Sequence, residues 1–144
     1  MKTAGDILIV DDESDIRLLI GATLRDEGFT TMEAASAMEA RDLLAAKPPG
    51  LAILDIWMRD SDMDGLELLE WVKSVYPEVP VLMISGHGTV ETAVQAIRNG
   101  AYDFIEKPFK EDRLLLMVQR AFEASRLERE NAELRARVSE ESDP

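Results

Sequence analysis

At 144 residues and 16.1 kDa the chain has the length of one ordinary domain, and an apolar share of 46% beside a charged share of 31% is enough to bury a core, which excludes wholesale disorder. Twenty-nine aspartates and glutamates against 16 lysines and arginines leave a formal charge of −13, which repels phosphate backbones and anionic lipid and argues against direct nucleic-acid or membrane-surface binding by this chain. With no cysteine and one histidine, disulfides, thiol nucleophiles and His/Cys metal clusters are excluded.

The amino terminus runs into a short strand-like segment and then Asp11, Asp12 and Glu13, so it lacks the apolar stretch of a signal peptide. No run approaches the roughly 18 apolar residues of a membrane span, and a soluble, cytoplasmic protein is expected. The first strand is residues 7–10, followed by Ile16, Leu19, Ile20, Thr23 and Leu24 at helical spacing. The same step recurs as 30–34 then 37–46, 51–56 then 66–75, and 81–84 then 90–99. A last strand at 102–105 precedes a helix from about residue 111.

Gly28 and Gly100 stand where helix ends call for a left-handed residue, and Pro77, Pro80 and Pro108 fall in connections. Ser36 with Glu39, and Asp64 with Glu67, have the spacing of a capping box. Strands with little alternation, each joined by a crossover helix, predict a parallel sheet covered on both faces, a doubly wound α/β fold of five βα units.

Past residue 124 no glycine interrupts a polar helical stretch in which Leu127, Asn131, Leu134 and Val138 occupy heptad d, a, d and a positions. Two readings stand for this segment: a coiled-coil extension that pairs chains, or a solvated helical linker. The chain accordingly divides into a domain at 1–124 and a helical extension at 125–144.

In an open α/β sheet, ligands collect beyond the carboxyl ends of the strands, where strand order reverses. Asp11 and Asp12 follow strand one, strand three ends on Asp55, strand four reaches Ser85, and strand five leads into Lys107 and Pro108. If strands one and three are neighbours, three carboxylates meet. Two like charges ~4 Å apart repel by about 4 kcal/mol at an effective dielectric of ~20, so such a cluster calls for a cation. Hard oxygen donors without imidazole or thiolate point to Mg²⁺. A carboxylate is also a nucleophile toward a phosphoryl group, and Asp55 is best placed, with Ser85 and Lys107 as partners for phosphoryl oxygens. Singly, each has an ordinary reading: an Asp pair as a turn or helix start, Ser85 before Gly86 as a turn, Lys107 as a surface charge.

Taken together, Ile9-Val10-Asp11-Asp12-Glu13, Leu54-Asp55, Asp64-Gly65, Ile84-Ser85-Gly86 and Lys107-Pro108-Phe109 resemble the receiver domain of two-component response regulators over about residues 5–124. The resemblance implies a flavodoxin-like sheet of strand order 2-1-3-4-5. It also implies Asp55 as phosphoacceptor, and Asp11, Asp12, Asp55 and the backbone carbonyl of Trp57 as Mg²⁺ ligands. Ser85 and Lys107 would contact the phosphoryl group, and the bond before Pro108 would be cis. Phe104 falls on the family's aromatic switch position, without the hydroxyl of the commoner tyrosine. Trp57 and His87 fall on positions that flank the phosphoryl group and influence its hydrolysis, although an exposed loop histidine is the plainer reading of His87.

The loop Trp57-Met58-Arg59-Asp60-Ser61-Asp62-Met63-Asp64-Gly65 has arginine in place of the family's usual proline and is about two residues longer, a form similar to regulators of the nitrogen-regulation NtrX type. Asp60 and Asp62 read as solvated acids rather than added metal ligands. By this resemblance a sensor histidine kinase is the donor, and the face formed by helix four, strand five and helix five is switched and is available for homodimers. DNA and sigma-54 polymerase would be reached only through an output domain that this length does not include, so the chain reads as a fragment ending in an inter-domain helix or as a stand-alone receiver.

The domain is expected to be a signalling phosphoacceptor rather than an enzyme with separate substrates. A flavodoxin-like redox domain is opposed by Asp11-Asp12-Glu13, which would repel a flavin phosphate; a metal-dependent aspartyl-phosphate hydrolase lacks room for a cap; a docking pseudo-receiver would not need all of these chemical groups.

Overall fold

The computed structural model describes residues 6–58, 63–86 and 89–142, with side chains described as far as residue 136. His87, Asp60, Asp62 and the side chain of Val138 lie outside the described residues. The apolar runs form five strands, β1 (Asp6–Val10), β2 (Thr30–Ala34), β3 (Leu51–Asp55), β4 (Val81–Ser85) and β5 (Asp103–Glu106). They pair in parallel in the order β2-β1-β3-β4-β5. Between and after them come α1 (Ser14–Asp26), α2 (Ala37–Ala46), α3 (Gly65–Val75), α4 (Val90–Arg98) and α5 (Glu111–Ser142).

Because successive strand side chains alternate faces, β1, β3 and β4 supply two cores at once. Leu8, Val10, Ala52, Leu54, Val81 and Met83 pack against α2, α3 and Ala96 of α4. Ile7, Ile9, Leu51, Ile53, Leu82 and Ile84 pack against Ile20 and Leu24 of α1 and Leu114, Met117, Val118 and Ala121 of α5. These central strands are buried on both sides, which is why their sequences show no polar alternation.

Local signals act where the spacing predicts. The full reciprocal capping box forms at α3: Asp64 Oδ1 accepts from the Glu67 amide at 2.9 Å and Glu67 Oε1 from the Asp64 amide at 3.1 Å. Ser36 accepts from the Glu39 amide at the start of α2. Gly28 and Gly100 hold φ of +92° and +109°, the region that penalises a side chain. The fifth strand is shifted one residue later than its apolar run, since the ladder pairs Leu82 with Asp103 and Ser85 with Glu106.

α5 runs without a break from Glu111 to Ser142. Its core contacts end near Phe122, which stacks on Phe29 with ring centroids 5.7 Å apart, and from Arg126 to Ala136 every side chain is exposed. Among the described residues no helix is long and apolar enough to cross a membrane.

Candidate functional site

β1 lies between β2 and β3, so the chain leaves it in opposite directions and opens a crevice at its carboxyl end. Asp11 follows β1 directly and is fully buried; its amide donates to the Ala34 carbonyl at 3.1 Å. Asp55 is the last residue of β3, next to β1, and is 3% exposed. Ligand oxygens of Asp11, Asp12 and Asp55 all lie within 4.8 Å of one another. Parallel pairing of strands one and three, the condition on which the sequence argument turned, brings the three carboxylates together.

β4 ends on buried Ser85, one residue past the partner of Asp55 in the ladder. The Lys107 amide donates to the Ser85 carbonyl at 2.9 Å, and the Lys107–Pro108 peptide is cis. The lysine side chain, 13% exposed, runs over Gly86 into the crevice. Its Nζ donates to Asp11 Oδ2 at 3.0 Å and stands 3.6 Å from Asp55 Oδ1 and 3.7 Å from Glu13 Oε1.

Burial pushes the Asp55 carboxyl up to about 7, with the negative charge of Asp11 adding to the rise and Lys107 opposing it. Asp11 is also raised, by burial first, against the opposing effect of the Glu13 amide and of Lys107. Burial works to lower Lys107, but its carboxylate partners outweigh this and raise it. One ammonium therefore does not fully offset three acids. The remaining deficit, together with donors that are all hard carboxylate oxygens, fits a divalent ion of the Mg²⁺ kind.

Trp57 is two residues past Asp55 and half exposed. Phe104 pairs with Met83 across β4 and β5 and packs, partly buried, against the first of the two cores.

Three residues of the site escaped the sequence argument as individuals. Glu13 donates its amide to Asp11 Oδ1 at 2.9 Å and so stabilises that carboxylate. A Cβ on Gly65 would lie 2.0 Å from the Asp55 carbonyl oxygen, so only glycine lets α3 begin against the backbone of Asp55. Arg17 reaches the Asp11 carbonyl from α1. An acid directly after the Asp11–Asp12 pair, and a glycine after a capping aspartate, were the signals for the first two.

The chain matches the response regulator receiver domain family over residues 7–119. It is 56% identical over 132 residues to the nitrogen assimilation regulatory protein NtrX of Azorhizobium caulinodans, covering 92% of this chain and 29% of that protein. A crystal structure of the receiver domain of NtrX from Brucella abortus superposes with a TM-score of 0.80 at 57% identity, covering 82% of this chain and 98% of that one. The beryllofluoride-activated NtrC4 receiver domain dimer, a solution structure, matches with a TM-score of 0.78 at 39% identity, over 83% of this chain and 98% of that one. The chain spans about 29% of the length of the NtrX relatives it matches. A match across nearly all of the folded body, and a receiver structure matched almost end to end, place this chain in the receiver domain family of response regulators, alongside the receivers of NtrX proteins.

Proposed function

We propose that the chain accepts a phosphoryl group on Asp55 from a sensor histidine kinase, in a Mg²⁺-dependent reaction, and relays the change to a transcription-regulating output domain. The observation that carries this reading is the convergence of Asp11, Asp12, Asp55 and the Lys107 ammonium at the carboxyl edge of the sheet. An Asp55 carboxylate oxygen attacks phosphorus, the P–N bond to the kinase histidine breaks, and the imidazole nitrogen leaves with its electron pair, so that an acyl phosphate remains.

Asp11, Asp12, Asp55 and the Trp57 carbonyl are the residues that would hold the ion. Bound Mg²⁺ supplies charge neutralisation for the phosphoryl oxygens. Lys107 favours the ionised form of Asp55 before transfer and pairs with a phosphoryl oxygen after it, exchanging part of its contact with Asp11. The Ser85 hydroxyl binds a second phosphoryl oxygen from the neighbouring strand end. Trp57 and His87, on the positions that the family resemblance places beside the phosphoryl group, would set water access and hence the lifetime of the acyl phosphate.

The switched surface in this reading is α4, β5 and the first part of α5. Val90, Val94, Ile97, Tyr102 and Leu116 are exposed there, an apolar set suited to pairing with a second receiver. The likeness to a receiver dimer supports that use, and the exposed Leu127 and Leu134 of α5 extend the same opportunity beyond the domain. The division into a receiver at 1–124 and a helical extension at 125–144 is supported by the loss of core contacts on α5 past Phe122. By analogy with NtrX relatives the output would be a sigma-54-dependent activator acting on DNA, in the cytoplasm.

The test is an amide NMR titration with Mg²⁺ and beryllofluoride. Resonances around β4, α4 and β5 are expected to shift in the unsubstituted chain and to stay in place in Asp55→Asn; equal shifts in both would remove Asp55 from the role.

A further inference from the structure

Arg17 is the fourth residue of α1, close to the positive end of the helix dipole, where a cation is disfavoured by roughly 0.3–1 kcal/mol. Helix stability does not account for it; its contacts do. Nη1 donates to the Asp11 carbonyl at 2.6 Å, and Nε donates to Glu33 Oε1 of β2 at 3.3 Å, with the side chain only 17% exposed.

The Asp11 carbonyl belongs to the peptide plane whose other end carries the Asp12 amide. Asp11 is already tied by its own amide to Ala34 and by its two carboxylate oxygens to Glu13 and Lys107. Holding the carbonyl as well removes the remaining rotation of the Asp11–Asp12 peptide and fixes the frame from which the Asp12 side chain departs. Glu33 anchors the other arm of the guanidinium to the neighbouring strand, so the clamp is braced from both sides.

We propose that Arg17 is a positioning residue for the divalent-cation site, presetting the Asp12 carboxylate against Asp11 and Asp55 by clamping the peptide between the two acids. This rests on the reading of the acidic cluster as a Mg²⁺ site. Arginine is suited to the task because its planar fork serves two acceptors at once.

Charge and geometry make opposite predictions here. Removing a positive group beside three carboxylates should tighten cation binding if only Coulomb attraction mattered. Losing the clamp should weaken it, by about 10- to 100-fold for a typical supporting contact of a metal site.

The experiment is calorimetric titration of the full 144-residue chain with MgCl₂, comparing the unsubstituted protein, Arg17→Ala and Arg17→Lys, with acetyl phosphate labelling rates at subsaturating and saturating Mg²⁺. Weaker binding in Arg17→Ala, a smaller loss in Arg17→Lys, and a labelling rate restored at saturating Mg²⁺ are expected. Equal or tighter binding in Arg17→Ala, or a rate that stays low at saturation, would overturn the proposal. Should the alanine variant not fold, the lysine variant decides alone: unchanged affinity overturns the clamp. Absence of Mg²⁺ binding by the unsubstituted chain would instead overturn the site reading, and this inference with it.

Discussion

Two lysine–aspartate pairs of equal length sit at opposite ends of the same strand. At the amino end of β1, Lys47 Nζ is 3.0 Å from Asp6 Oδ2, with 74% and 24% of the side chains exposed. Just past the carboxyl end, Lys107 Nζ is 3.0 Å from Asp11 Oδ2, with 13% and 0% exposed. Asp6 is held below the ordinary carboxylate range, by its hydrogen bond with Thr30 first and by Lys47 next, whereas Asp11 is held above it because burial outweighs its partners. Distance is the same; solvent is not. An exposed pair keeps both charges at little expense, while a buried pair amid further acids leaves an excess of negative charge that an incoming cation can offset.

The strongest way to probe that contrast is to delete each lysine. Lys107→Ala strands buried carboxylates without their cation and is expected to lower stability in chelator by about 3–5 kcal/mol, read from urea unfolding, with Mg²⁺ restoring much of the loss. A loss below about 1 kcal/mol would mean that solvent reaches the pair and that the two ends of the strand do not differ.

Asp55→Asn sharpens the same point through pH. The folded-state value of about 7 lies above the ordinary 3.8, so the native state holds the proton more tightly than the unfolded chain. Stability from this group is therefore present below the ordinary value and is lost as pH rises through the folded one, by roughly 4 kcal/mol as an upper bound. In chelator the unsubstituted protein should lose more stability than Asp55→Asn between pH 5 and about 8, and Mg²⁺ should close the gap. Parallel pH profiles in chelator would contradict the charge imbalance.

At the exposed end, Lys47→Ala should change unfolding free energy by less than about 1 kcal/mol, and by less still in high salt. A larger effect would show that pair to be shielded, and the contrast would fail from its other side.

Much of this was legible beforehand because strand ends are written in the sequence as the points where apolar runs stop. The run before Asp11, the run ending on Asp55 and the run before Lys107 each placed a chemical group at the same edge once the sheet was taken as parallel. What stayed hidden depends on contacts between elements distant in sequence. Gly65 read as half of a motif, whereas its need for glycine arises only in the fold, where α3 starts against the Asp55 backbone. Nothing in the sequence marks Arg17, because a hydrogen bond to a main-chain carbonyl leaves no trace in residue type. Along α5 the change of composition near residue 124 is a change of burial, not of backbone, since the helix continues through it.

The most direct test of the account is chemical trapping. After incubation with acetyl phosphate, borohydride reduction converts an acyl phosphate to an alcohol that peptide mass spectrometry can place. The account predicts reduction at residue 55, requiring Mg²⁺ and abolished by chelator. Trapping at another carboxylate, or at Asp55 regardless of the metal, would contradict it.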